Sequence, residues 1–359
     1  MNRLVYLDSL RGIAALIVVF FHLIDPIFLN FDFNLTESEI VNSKIILRSI
    51  FNGSDWVSFF FVLSGFSLSF SLLKSNDAFN FKTFIIKRFF RIYPLYLLIL
   101  FVTYLSLNHQ KSFFSFFSQT LLFNFNNELV PTSWSLSVEV IGSLLMPFFI
   151  IIFKSNKRTF YILTLISLIF YNGIGQSQSV FFGFSIHFLL GIALYHFFNE
   201  KQLFVSKNQR YLVLFFIVLS FCSRWFIDFF PTLKFLVHLF TDFMKMDYHH
   251  FFYILSAFGS FFFLYFVIIN KTIQKYLSSK TLVFLGKISF SIYLSHFLIL
   301  KLLLNETTNY LSFLENPMIR MFGTVLFLIF TIILVSTILF YTIEKPFIKF
   351  SNFLIHHKL

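Results

Sequence analysis

Apolar residues in this chain fall into blocks of about twenty, separated by short polar or basic stretches from one end to the other. Each block is long enough for a helix to cross a hydrocarbon core about 30 Å thick. The pattern predicts ten spans, over residues 10–29, 56–73, 92–107, 133–153, 159–173, 180–198, 211–230, 250–269, 283–304 and 318–341. The fifth is short, which suits a tilted, locally thinned or partly re-entrant segment. The expected class is therefore an all-α polytopic integral membrane protein, a single membrane-embedded domain over residues 1–359 with no soluble second domain. The stretches 30–55, 108–132, 231–249 and 305–317 read as longer polar-aromatic loops, and residues 112–125 as a segment lying along the interface.

Composition agrees: 57% of residues are hydrophobic and only 12% are charged. A net charge of +12 could suit nucleic acid. The basic residues, however, sit in short clusters between apolar blocks, and no long soluble segment exists to bind one. With the amino terminus in the cytoplasm, 20 of the 28 basic residues fall on the inner side, and every inner loop is basic. That alternation predicts an even number of spans with both termini cytoplasmic. The lone Cys222 excludes an internal disulfide and a zinc cluster. No metal site is expected, because the adjacent His249 and His250 point to different faces. The first apolar block carries a histidine and no small-x-small cleavage site, so it reads as a span rather than a removable leader.

Ionisable residues inside spans are expensive and become functional candidates. The first block, Asp8 to Pro26, has an acid and an arginine at its mouth and His22 deep within. Arg11 and His22 are eleven residues apart, about three helical turns and roughly 16 Å, so they point nearly the same way. Asp8 lies near that line, one turn before Arg11. The spacing leaves two readings open: a basic anchor with a hydrogen-bonded neutral histidine, or a general base at mid-membrane with an anion holder at its mouth. Arg88 and Arg91, one turn apart at a span entrance, can converge on a phosphate, as any basic inner loop can. Trp134 and Glu139 sit near the opposite surface, and Glu139 needs a partner from another helix or a role as acid, base or sugar-hydroxyl ligand. Tyr293 and His296 lie on a serine-rich apolar helix, with His296 at about the depth of His22. Arg224 and Asp228, spaced i,i+4, read as a structural pair.

Taken together, these motifs resemble acyltransferase family 3. The matching stretches are YLDSLRGIAALIVVFFH, with Arg-x10-His at Arg11 and His22; FFFVLSGF, Phe59 to Phe66; FIIKRFFRIYPLY, with Arg88 and Arg91; SWSLSVE, Ser133 to Glu139; GKISFSIYLSH, Gly286 to His296; and Glu344-Lys345-Pro346-Phe347. They occur in family order along nearly the whole chain. The resemblance implies a ten-span enzyme of a bacterial cytoplasmic membrane that moves a short acyl group, acetyl first among them, from cytoplasmic acyl-coenzyme A. The acceptor would be a hydroxyl of a surface glycan or its lipid-linked precursor. It assigns His22 as catalytic base and Arg11, Arg88 and Arg91 to the donor. Glu139 joins the catalytic set, and Asp8, Trp134, Tyr293 and His296 support it or bind substrate. Acyl-coenzyme A is a co-substrate rather than a resident cofactor, and the other partners implied are the bilayer and polysaccharide-assembly proteins. A transporter of a lipid-linked sugar or small acid is the competing reading. Against it, the chain shows neither an internal repeat nor paired broken spans.

Overall fold

A computed structural model describes residues 4–74, 80–107, 113–122, 129–169, 176–200, 207–244 and 248–358. Among these residues all regular structure is helical. Seven helices are long and apolar enough to cross a membrane. Each of the ten expected spans overlaps a helix, although residues 170–173 of the fifth lie outside the described residues. The three outside the seven are α7 (Lys157–Ile169), α8 (Gln176–Asn199) and α9 (Lys207–Phe229), and the last two contribute shorter apolar stretches, Phe184–Asn199 and Gln209–Val218.

The chain divides into two compact units. The first, Met1–Phe51, Asn80–Leu136 and Lys280–Leu359, holds α1 (Val5–Asn30), α2 (Glu37–Ile50), α4 (Phe81–Leu107), α5 (Phe113–Thr120), α13 (Lys280–Tyr310), α14 (Pro317–Leu339) and α15 (Lys345–Lys358). The second, Asn52–Phe79 and Ser137–Ser279, holds α3 (Gly53–Lys74), α7, α8, α9, α10 (Pro231–Phe243), α11 (Tyr248–Ile269) and α12 (Lys271–Leu277). Helix α6 (Ser133–Ser155) begins in the first and continues in the second.

The axis of the first unit is the pair α1 and α13. They approach backbone to backbone at Gly12 and Gly286: a Cβ on Gly12 would sit 2.6 Å from the Gly286 nitrogen, and one on Gly286 would collide with the Asp8 carbonyl. Without a hydrophobic driving force in lipid, helices associate through such close contacts of small residues. Helix α14 then packs on α13 through polar atoms. Ser295 Oγ lies 3.2 Å from Ser336 Oγ, and Ser291 Oγ donates to Glu344 Oε2 over 3.0 Å. Glu344 reaches inward from a π turn, Phe340–Glu344, between α14 and α15. Helix α15 lies along α4, with Phe90 against Phe347 and Phe350. In the second unit, the buried Asp55 accepts from Asn52 Nδ2 and from Ser256 Oγ, which joins α3 to α11.

Three of the expected loops are largely helical. Residues 37–50 form α2, started by a capping box in which Thr36 and Glu39 satisfy each other's backbone N–H. Residues 231–243 form α10, with Pro231 at its first position. Helix α13 runs on to Tyr310. Hydrophobic periodicity is blind to these segments because none buries a continuous apolar stripe; α2 buries no residue at all. Within 112–125, α5 exposes Phe113, Phe114 and Phe117, and is tied to α4 by Tyr96 Oη donating to the Gln119 carbonyl over 2.6 Å.

Candidate active site

His22 stands on α1 eleven residues beyond Arg11, and α1 is one helix throughout. Its Nδ1 is 2.9 Å from the Val18 carbonyl. A carbonyl only accepts, so Nδ1 carries the hydrogen and Nε2 keeps its lone pair. The ring is therefore held in the tautomer a general base requires. Four residues on, Pro26 lacks the N–H that would bond the His22 carbonyl, so one backbone acceptor beside the imidazole loses its helical donor. The side chain of His22 is only partly covered.

His296 faces it from α13, with ring centroids 5.1 Å apart and planes tilted by 47°. His296 is fully buried, and its Nδ1 lies 3.2 Å from the Ile292 carbonyl, which imposes the same tautomer. Its Nε2 is buried with no hydrogen-bond partner among the described residues. Two lone pairs are thus presented by neighbouring rings, and that of His296 lacks a donor among the described residues.

The polar run continues from there. The Tyr293 ring lies 5.9 Å from that of His296, and its hydroxyl is 2.6 Å from Ser135 Oγ at the start of α6. Ser135 Oγ is also 2.9 Å from the Thr132 carbonyl. If Ser135 donates to that carbonyl, Tyr293 donates to Ser135. On the other side of His22, Phe297 presents its edge at 6.5 Å, and the Lys301 ammonium lies 5.3 Å from that ring.

At the far end of the same α1 line, Arg11 Nη1 donates to Asp8 Oδ1 over 3.2 Å, with both side chains mostly covered. The pair fixes the guanidinium at the mouth of the line. On α4, the Arg88 guanidinium lies 5.9 Å from the Phe84 ring, and Arg91 is exposed.

The structure thus brings together Asp8 with Arg11, His22 with His296, and Tyr293 with His296. Trp134 is half-buried in the first turn of α6, beside Ser135. Glu139 is half-buried on the part of α6 that belongs to the second unit. The side chains of Arg224 and Asp228 lie outside the described residues. Sequence reasoning passed over Ser135, although it stands inside the SWSLSVE stretch. A hydroxyl beside a tryptophan and a carboxylate gives no signal until a partner 158 residues away meets it.

A helical body with seven helices able to cross a membrane thus carries a histidine pair inside and an arginine near the start of the same helix as His22. The family comparison makes this specific. The model described as an acyltransferase domain, acyltransferase family 3, matches residues 4–341, and the chain belongs to that family. It is a membrane acyltransferase of the O-acyltransferase type. Neither the curated proteins nor the solved structures contain a match to it.

Proposed function

We propose that the protein moves a short acyl group, acetyl first among them, from cytoplasmic acyl-coenzyme A to a hydroxyl of a surface glycan or its lipid-linked precursor. It does so as a multi-pass enzyme of a bacterial cytoplasmic membrane, with both termini inside. The observation that carries the reading is the imidazole pair. His22 and His296 each keep an Nε2 lone pair, that of His296 buried without a partner among the described residues, and His22 stands on the line that starts at Arg11. Family membership decides for chemistry over transport.

In this reading the phosphates of the donor meet Arg11, Arg88 and Arg91, since guanidinium groups match phosphate geometry. The pantetheine arm follows α1 inward, and about 16 Å of helix separates Arg11 from His22. The acceptor arrives from the opposite end, where Trp134 and Tyr293 support it. His22 Nε2 takes the proton of the acceptor hydroxyl as its oxygen attacks the thioester carbonyl. The carbon–sulfur bond breaks, the thiolate of coenzyme A leaves, and the imidazolium returns the proton to it. His296 Nε2 accepts from a water held beside the two rings, because the single proton of the acceptor hydroxyl goes to His22.

The test is purified protein in nanodiscs with radiolabelled acetyl-coenzyme A, with and without a crude glycan extract, beside His22→Ala. Label passing to glycan or water only in the wild type is the expected result. Equal turnover by a well-inserted His22→Ala would remove His22 from the reaction.

A further inference from the structure

Beyond His22, at the end of α1 away from Arg11, the first unit carries a cluster of rings and cations to which the reaction above gives no part. Asp25 is one turn past His22. Its Oδ2 accepts from Arg48 Nη2 over 2.5 Å, and its Oδ1 lies 3.5 Å from Lys44 Nζ, both from α2. The Lys44 ammonium also sits 5.6 Å from the Phe28 ring. Phe28 meets Phe33 at 5.8 Å, Phe33 meets Phe31 at 6.2 Å, and the Phe31 ring takes the Arg320 guanidinium at 5.6 Å. One unbroken run of contacts therefore joins three cations from α2 and α14 to three aromatic rings. It starts about 4.5 Å beyond His22 along the helix axis and reaches Phe28 at about 9 Å.

The charges in this cluster are unevenly served. Asp25 is shared by Lys44 and Arg48. The other acid of the segment, Asp32, is exposed and turns back to accept from the Asn34 N–H. Arg320 has neither. Among the described residues its side chain meets the buried Phe31 ring, and its Nε is shut off from solvent with no acceptor. It also stands in the first turns of α14, where the helix end favours negative charge. A partly buried guanidinium with an unfilled donor is costly, and its planar fork matches a carboxylate or a phosphate.

We propose that this cluster is the acceptor site, and that the acceptor carries an anionic group, a carboxylate or a phosphate, near the hydroxyl to be acylated. Arg320 takes the anion with the buried Phe31 ring behind it, the partly exposed Phe28 and Phe33 take the apolar face of the sugar, and the Asp25–Lys44–Arg48 group pins α2 as the wall. The inference rests on the acyl-transfer reading, because a donor bound at the Arg11 end leaves the acceptor this end.

The test is equilibrium binding of three fluorescent trisaccharides to the full chain in nanodiscs of zwitterionic lipid. One carries a uronic acid, one is its carboxyl-reduced neutral counterpart, and one carries a phosphodiester. At least one charged probe is expected to bind ten-fold or more tightly than the neutral one, with an advantage that shrinks as salt rises. Whichever charged probe wins names the anion. Arg320→Gln should erase the advantage, and Arg320→Lys, which keeps the charge and loses the fork, should retain part of it. Equal binding of charged and neutral probes, an advantage that survives in Arg320→Gln, or binding of none of the three overturns the proposal. The salt dependence in wild type keeps the test decisive if Arg320→Gln does not fold. Donor consumption by wild type and His22→Ala in the same nanodiscs reports separately on the acyl-transfer reading. Charge preference without turnover discards that reading alone, and turnover without preference discards this one alone.

Discussion

His22 and His296 stand at the same level because each lies ten residues beyond the glycine at which its helix touches the other. Gly12 meets Gly286 in backbone contact, and the two imidazole centroids lie 5.1 Å apart. Ten residues are about 15 Å of rise on each helix, so α1 and α13 run in the same direction and in register between these two points. The glycine contact is thus the reference from which the two rings are set, and the placement of His22 against His296 depends on a residue nearly three turns away.

That dependence can be measured at the glycines. Gly286→Val should separate α1 from α13, since even a Cβ there collides with the Asp8 carbonyl. Overpacking of this kind costs about 1–3 kcal/mol. A lowered melting temperature by fluorescence-detected size exclusion is expected, with acyl transfer lost in the fraction that stays folded. A variant as stable and active as wild type would mean that the helices are not held at this point.

The two histidines should not weigh equally. General acid–base catalysis supplies about 10²–10⁴-fold, so His22→Ala is expected to lose at least that in kcat. His296→Gln offers a donor and an acceptor in place of one lone pair, and its loss should be smaller and appear in the KM of the acceptor as well. Steady-state kinetics with donor and acceptor varied separately distinguish the two. An equal loss in kcat alone from both would make His296 a second base.

Donor recognition should follow phosphate charge. Charge-assisted hydrogen bonds contribute about 1.5–3 kcal/mol, or roughly ten- to over a hundred-fold in affinity. Arg88→Ala and Arg91→Ala are expected to raise the KM for acetyl-coenzyme A by at least ten-fold together, with little change in kcat. If they bind the 3′-phosphate, 3′-dephospho-acetyl-coenzyme A should be as poor a substrate for wild type as the full donor is for the double variant. Equal use of both donors by wild type would place the arginines elsewhere.

Tyr293 and Ser135 should act as a unit. Their hydroxyls are 2.6 Å apart, and a neutral hydrogen bond contributes about 0.5–1.5 kcal/mol net. Tyr293→Phe and Ser135→Ala are expected to lower acyl transfer each, and the double variant by less than the product of the two. A double-mutant cycle on kcat/KM reads this directly. Fully additive losses would show that the two hydroxyls serve separate purposes.

Much of the architecture was legible one residue at a time. Twenty-residue apolar blocks must be helices in a bilayer, because no other local structure satisfies its own backbone there. The line from Arg11 to His22 needs only the pitch of one helix. For the same reason Asp8 could be placed beside Arg11, and the two are joined by a hydrogen bond. The common depth of His22 and His296 was readable in the same way, since both count from a span's edge.

The tertiary structure decided everything that one helix cannot encode. That depth becomes a ring contact rests on α1 and α13 meeting at two glycines, and small residues fit many interfaces equally well. The partnership of Tyr293 with Ser135, and the unserved guanidinium of Arg320 over Phe31, join residues far apart in the chain. Helices α2 and α10 appeared where loops were expected; a capping box starts α2 and Pro231 starts α10, and neither buries a long apolar face. The sequence by itself determined which segments are helices and which residues share a face, since pitch and bilayer thickness are universal. Which faces meet was a choice among helices of similar hydrophobicity, and shape and hydrogen bonding made it.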